Sequence, residues 1–137
     1  GGCTLTQDQT AMRYNDLSKH KSDFTLRDLK LIARGRHFRV SPSVLFVVGR
    51  TAWENGIIQK LVEPGDTVLE LADFPGPFGL MIGQGTEDDL TVCCRILGRY
   101  SKARDRSAVR VNAGHGENLQ TVECSPASDE LCGKLRV

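Results

Sequence analysis

The sequence has no apolar run near the roughly 18 residues that a membrane-spanning helix needs, and its start lacks the basic and apolar segments of a secretory signal. A soluble, cytoplasmic chain with no membrane partner is expected. It has five cysteines, Cys3, Cys93, Cys94, Cys124 and Cys132, irregularly spaced and without a C-x-x-C pair. That pattern argues against a disulfide framework or a closed zinc site, so no metal is expected and the thiols read as core volume. Missing too are G-x-S-x-G, the P-loop, H-E-x-x-H and the dinucleotide fingerprint, and His20, His37 and His115 are not placed near any obvious nucleophile in sequence. No catalysis and no cofactor are expected of this chain. A net charge of +1 also excludes a polycation that coats nucleic acid indiscriminately.

What is there is a single-domain length, 137 residues, with enough apolar residues for one core. The chain begins Gly1-Gly2-Cys3 rather than with methionine, and we read it as a piece of a longer protein. Weak amphipathic patterning runs from Thr6 to Lys19. Thr25 and Asp28 have capping-box spacing before a helix at Leu26 to Arg34, with Gly35 as its stop. Two strands, His37 to Val40 and Leu45 to Val48, flank a turn at Ser41-Pro42-Ser43. Thr51 and Glu54 suggest a second capping box, opening a helix in which Trp53, Ile57, Ile58 and Leu61 form the apolar stripe up to Pro64-Gly65. Strands follow at Thr67 to Leu71 and Phe78 to Ile82. Thr86 with Glu87, Asp88 and Asp89 starts a third helix reaching about Leu97 or Gly98. Val109 to Asn112 and Leu119 to Cys124 close the pattern around a flexible Ala113-Gly114-His115-Gly116, and the tail beyond Pro126 is weakly patterned. The order predicts an α+β fold: a mostly antiparallel sheet with helices packed on one face, a two-layer sandwich.

Three segments concentrate basic chemistry. Val47-Val48-Gly49-Arg50-Thr51 runs an apolar strand through glycine into a helix N-terminus, where free N–H groups and Arg50 suit a phosphate. A plain strand-to-helix turn with a surface Arg50 is the simpler reading on the physics alone. Arg99-Tyr100-Ser101-Lys102-Ala103-Arg104, if extended, turns Lys102 and Arg104 to one side, with Tyr100 stacking a base or packing inward. In Arg34-Gly35-Arg36-His37-Phe38-Arg39, alternation sends Arg36 and Phe38 to one face and His37 and Arg39 to the other. A solvated surface role is the bland alternative for both segments. The carboxylates Asp66, Glu70 and Asp73 suit a hard cation only if a turn gathers them, and a solvated acidic edge is the simpler reading.

Val48-Gly49-Arg50 with Asn55, Asp66 followed by Asp73-Phe74-Pro75-Gly76, and Tyr100-Ser101-Lys102-Ala103-Arg104 agree in order and spacing with the NFACT-R domain. The chain resembles that family over roughly Arg36 to Val111. The resemblance implies a non-catalytic RNA-binding domain, in a family found in factors that engage tRNA. Cys3-Thr4-Leu5-Thr6 and Gly35 to Arg39 look like a divergent branch that lies C-terminal to PP-loop domains similar to tRNA thiouridine synthetases. That branch implies a tRNA-modification parent whose upstream PP-loop domain binds ATP and transfers sulfur. The divisions expected are 1–35, a helical extension from that upstream domain; 36–124, the RNA-binding domain; and 125–137, a tail. The expected partners are RNA, specifically tRNA, and the upstream domain, but not DNA. Arg36, Arg50, Asn55, Arg99, Tyr100, Lys102 and Arg104 are the candidate binding residues, with Asn55 and Tyr100 fixing geometry. Val68, Glu70, Pro77 and Phe78 stand where relatives carry Trp, His and Ser-His, which moves the expected RNA face toward Arg50 and Arg104. Two other readings remain: sulfur relay through Cys3 or Cys93, and docking of a ribosomal protein or the parent's other domain through the Phe74-Pro75-Gly76-Pro77 turn and the acidic edge.

Overall fold

The computed structural model describes residues 3–137, with side chains from residue 9 onward. The elements in order are α1 (Cys3–His20), α2 (Leu26–Ile32), β1 (Arg36–Ser41), β2 (Val44–Val48), α3 (Ala52–Lys60), β3 (Thr67–Leu71), β4 (Gly79–Ile82), α4 (Glu87–Arg99), β5 (Val109–His115), β6 (Asn118–Cys124) and α5 (Asp129–Leu135). The strands form one sheet in the order β1-β2-β4-β3-β5-β6, each neighbouring pair antiparallel. Among the described residues, no helix is long and apolar enough to cross a membrane.

The α+β class and the antiparallel sheet agree with the sequence, but the placing of the helices differs. Strand alternation gives the sheet two apolar faces. One carries Phe38, Phe46, Met81, Leu69, Val109 and Val111 and is covered by Cys93, Cys94, Ile96 and Leu97 of α4 and Cys132 of α5. The other carries Val47 and Leu80, which pack on Leu31 of α2 and Ile58 of α3. The register explains this, since Phe38, Phe46 and Met81 are cross-strand partners, as are His37, Val47 and Leu80. Helices therefore lie on both faces of the sheet's β1-β2-β4-β3 part. Two further differences concern the ends of the pattern. Ala113 to His115 continue β5 rather than forming a flexible loop. The weakly patterned tail forms α5, capped by Ser128, with Cys132 buried in the core. Beyond α5, Arg136 bridges to Phe38 and the Val137 N–H donates to the His37 carbonyl, extending the sheet past β1.

Two caps set the geometry that matters next. Thr25 and Asp28 form the reciprocal box expected of them. Thr51 accepts from the Glu54 N–H, but the Glu54 carboxylate does not return to the cap. It accepts instead from the backbone N–H groups of Gly35 and Arg50, each at 3.0 Å, and so ties α3 to the α2–β1 junction.

Candidate nucleic-acid interface

Gly49 is where β2 passes into α3. A Cβ there would sit 1.9 Å from the Asn55 Oδ1, which accepts from the Phe78 N–H at 3.1 Å, while the Gly49 N–H donates to the Phe78 carbonyl at 3.0 Å. Asn55 thus clamps α3 to the start of β4, and the glycine is required because no side chain fits beside the clamp. Asp66 has a comparable structural task. It is buried, accepts from the Glu63 N–H and pairs with Arg27, so it does not stand on a solvated acidic edge. Asp73 pairs with Arg110 at 3.1 Å.

Arg50 lies against Glu54, its Nε donating to Oε1 at 2.9 Å and its Nη2 to Oε2 at 2.7 Å. This bidentate pair and the two backbone donors hold the Glu54 carboxyl down to about 2. Arg50 nonetheless keeps 41% of its side chain exposed, whereas Glu54 keeps 5%. Arg36 extends from β1 on the Phe38 face, its guanidinium 4.5 Å from the centre of the Tyr100 ring. Tyr100 in turn packs on Phe38 at 5.7 Å between centroids. Arg136, a residue the sequence did not single out, lies over the other aromatic of this group, 5.5 Å from the Phe38 ring centre.

The charges accumulate here. Burial, then the fields of Arg136 and Arg50, lower the affinity of Arg36 for its proton, opposed by Tyr100 and Glu54. Arg13 is pushed down to about 10 by burial and by the same two arginines. Arg13 is turned inward, its Nη1 and Nη2 donating to the carbonyls of Ile32 and Gly35 at 2.6 and 2.8 Å while its buried Nε has no acceptor. Arg36 has no carboxylate partner among the described residues.

The segment after α4 is a run of turns rather than an extended strand. The Ser101 hydroxyl donates to the Gly98 carbonyl at 2.7 Å and accepts from the Ala103 N–H at 3.0 Å, burying Ala103 in the core. Lys102 and Arg104 flank that alanine, exposed and without an ion pair among the described residues. Arg99 differs, for its guanidinium is paired with Asp129 at the start of α5. The rest of that basic group is dispersed. Arg95 bonds the Ser125 carbonyl, Arg106 lies over Phe74 and Arg110 holds Asp73. In the first basic segment, His37 is not at the surface. It is fully enclosed, its Nε2 2.8 Å from the carbonyl oxygens of Leu31 and Arg34, and burial drives it down to about 3, so it is neutral. Arg39 pairs with Asp16 of α1 at 2.7 Å.

The site therefore brings together Arg36, Tyr100 and Arg136, with Arg50 near enough for its charge to act on Arg36 and with Lys102 and Arg104 on the turns that begin beyond Tyr100. An exposed aromatic on α3 also escaped the sequence reading. Trp53, placed in the apolar stripe of α3, is exposed, with Arg34 over its ring. Cys93 is enclosed, and burial raises its thiol well above the usual range, the wrong direction for a sulfur-relaying thiolate. The side chain of Cys3 lies outside the described residues.

The family model described as NFACT protein RNA binding domain matches residues 35–135. Among solved structures, the C-terminal part of the fibronectin/fibrinogen-binding protein from Streptococcus suis shares the fold, with a TM-score of 0.68 and 15% identity over 76% of this chain. The chain spans 50% of that one's length. No curated protein matches the sequence.

Proposed function

We propose, from the fact that the chain belongs to the NFACT protein RNA-binding domain family, that it binds tRNA without catalysing a reaction, through the cationic surface around Tyr100. The observation that carries the proposal is the placing of the Arg36 and Arg136 guanidiniums over the Tyr100 and Phe38 rings, with neither cation ion-paired to a carboxylate among the described residues. Like charges gathered this closely repel one another, and a polyanion laid across them relieves the repulsion and releases its own counterions. Lys102 and Arg104 extend the surface as flexible phosphate contacts. Arg50 is a weaker donor than its position alone suggests, because Glu54 already holds it. Arg99 must give up Asp129 to take part. Asn55 acts on the RNA through α3, by fixing where the helix begins. Residues 1–35 would join the domain to an upstream PP-loop domain of a tRNA-modifying parent, and that domain, not this chain, would bind ATP.

Binding of tRNA at several salt concentrations tests this. Substituting Lys102→Ala with Arg104→Ala removes two phosphate contacts. The slope of log affinity against log salt should become shallower by roughly 1.4 if the contacted RNA is single-stranded and roughly 1.8 if it is duplex. Adding Arg36→Ala should weaken binding further. An affinity and a slope that stay at the parent values in the double variant rule the surface out.

A further inference from the structure

Trp53 is the chain's single tryptophan, and it stands 65% exposed in the first turn of α3. Burying an aromatic of this size is among the larger single contributions to a core, so its position at the surface is itself informative. The Arg34 guanidinium lies 4.7 Å from the ring centre and covers one face of the indole. The pair is also fixed in place. Trp53 precedes Glu54 and Arg34 precedes Gly35, and the Glu54 carboxylate bonds both the Gly35 N–H and the Arg50 guanidinium. The aromatic platform is thereby anchored beside the Arg50 cation.

A groove of about 410 Å³ runs alongside, between α2 and α3. Leu29, Ile57 and Leu61 contribute its apolar surface, Lys30, Arg34 and Lys60 its charge, and none of its lining residues is acidic. These three cations make no ion pair among the described residues. An exposed indole backed by a guanidinium plane, next to uncompensated positive charge, is the combination that holds a nucleobase by its face and the neighbouring phosphates by their charge.

We propose that the Trp53–Arg34 pair is a stacking platform for an unpaired nucleobase, with the α2–α3 groove taking the flanking backbone. The domain would then prefer RNA with an unpaired stretch over continuous duplex, because a base already stacked within a helix has no free face to offer. This rests on the RNA-binding reading above and adds to it the kind of RNA element preferred.

The single tryptophan makes the test direct. The 137-residue chain is titrated at low salt with a short single-stranded oligoribonucleotide, with a blunt duplex containing the same sequence, and with an acidic peptide, following indole emission and binding together. The expected result is quenching by the single strand and binding of the duplex without quenching. Trp53→Ala should weaken the single strand roughly tenfold or more and change duplex binding less than about twofold on the same scale. Trp53→Phe, which keeps a ring and guards against misfolding of the alanine variant, should retain part of the lost affinity. If the single strand binds with unchanged emission and Trp53→Ala binds it as tightly as the parent, the platform is refuted while RNA binding stands. Equal losses for single strand and duplex in both variants mark Trp53 as structural and also refute it. Failure of both RNAs to bind overturns the platform and the RNA-binding reading together, whereas quenching by the peptide alone refutes the platform.

Discussion

Replacing Glu54 by Gln keeps the shape of the residue that joins α3 to the α2–β1 junction and removes its charge. The carboxyl is held at about 2 against an ordinary value of 4.5, chiefly by the Arg50 guanidinium. At about 1.4 kcal/mol per pH unit the shift corresponds to a ceiling of roughly 3 kcal/mol. The partner Arg50 is 41% exposed, so solvent screening brings the expected contribution nearer 2 kcal/mol. Because the folded value is depressed, this stability is fully present above 4.5 and is lost as pH falls from there through about 2. Urea unfolding of the parent and Glu54→Gln should therefore differ by about 2 kcal/mol at pH 7, with equal m values, and the gap should narrow steadily below about pH 4.5. Acid effects common to both proteins, His37 included, cancel in the difference. The same variant releases Arg50, so it should bind tRNA no more weakly than the parent despite its lower stability. A stability difference that stays constant between pH 7 and pH 3 would refute the account of Glu54 as the charge holding this junction.

Three further outcomes follow from the geometry. Gly49→Ala must displace the Asn55 amide and orphan the Phe78 N–H, costing about 2 kcal/mol; Gly49→Ala with Asn55→Ala should cost less than the two single changes added. The His37 imidazole, held at about 3 by burial, should show no titration by NMR between pH 8 and pH 5 and should carry its proton on Nε2; a midpoint inside that window contradicts its enclosure. Its depressed value means that it too withdraws stability as pH falls below 6.5, since only the unfolded chain takes up the proton there. Mapping of alkylated peptides should show Cys124, half-buried, modified before Cys93 and Cys94, whose thiols are enclosed and raised by burial, Cys94 to about 12; early labelling of Cys93 would reopen the sulfur-relay reading.

Periodicity and caps made most elements legible in the sequence, because Thr25, Thr51 and Thr86 are local signals and short apolar runs such as Val44–Val48 are bounded by turn residues. What was not legible depends on partners remote along the chain. Leu31 and Ile58 form a second core only once the register turns Val47 and Leu80 toward them, so the two-sided covering of the sheet has no local signature. Trp53 fits the helical spacing of an apolar stripe, yet that spacing does not say whether anything packs against it. Glu54 satisfies the capping pattern while its side chain bonds elsewhere. Arg136 lies in a tail with little pattern and gains its place only through the bridge to Phe38. In the candidate site, Arg36 and Tyr100 meet although they are remote in sequence, and Arg50 and Arg99 are held by Glu54 and Asp129, which no local pattern signals.

The buried guanidinium of Arg13 has a mechanical consequence. Through the carbonyls of Ile32 and Gly35 it grips the chain on both sides of Arg34, so force applied along α1 is delivered to the residue that backs the indole. A chain shortened to begin at residue 21 would keep the whole sheet but leave two carbonyls without their donor, and the looseness would surface first at Arg34 and Trp53. The first helix thus works as a brace for a surface it does not itself form.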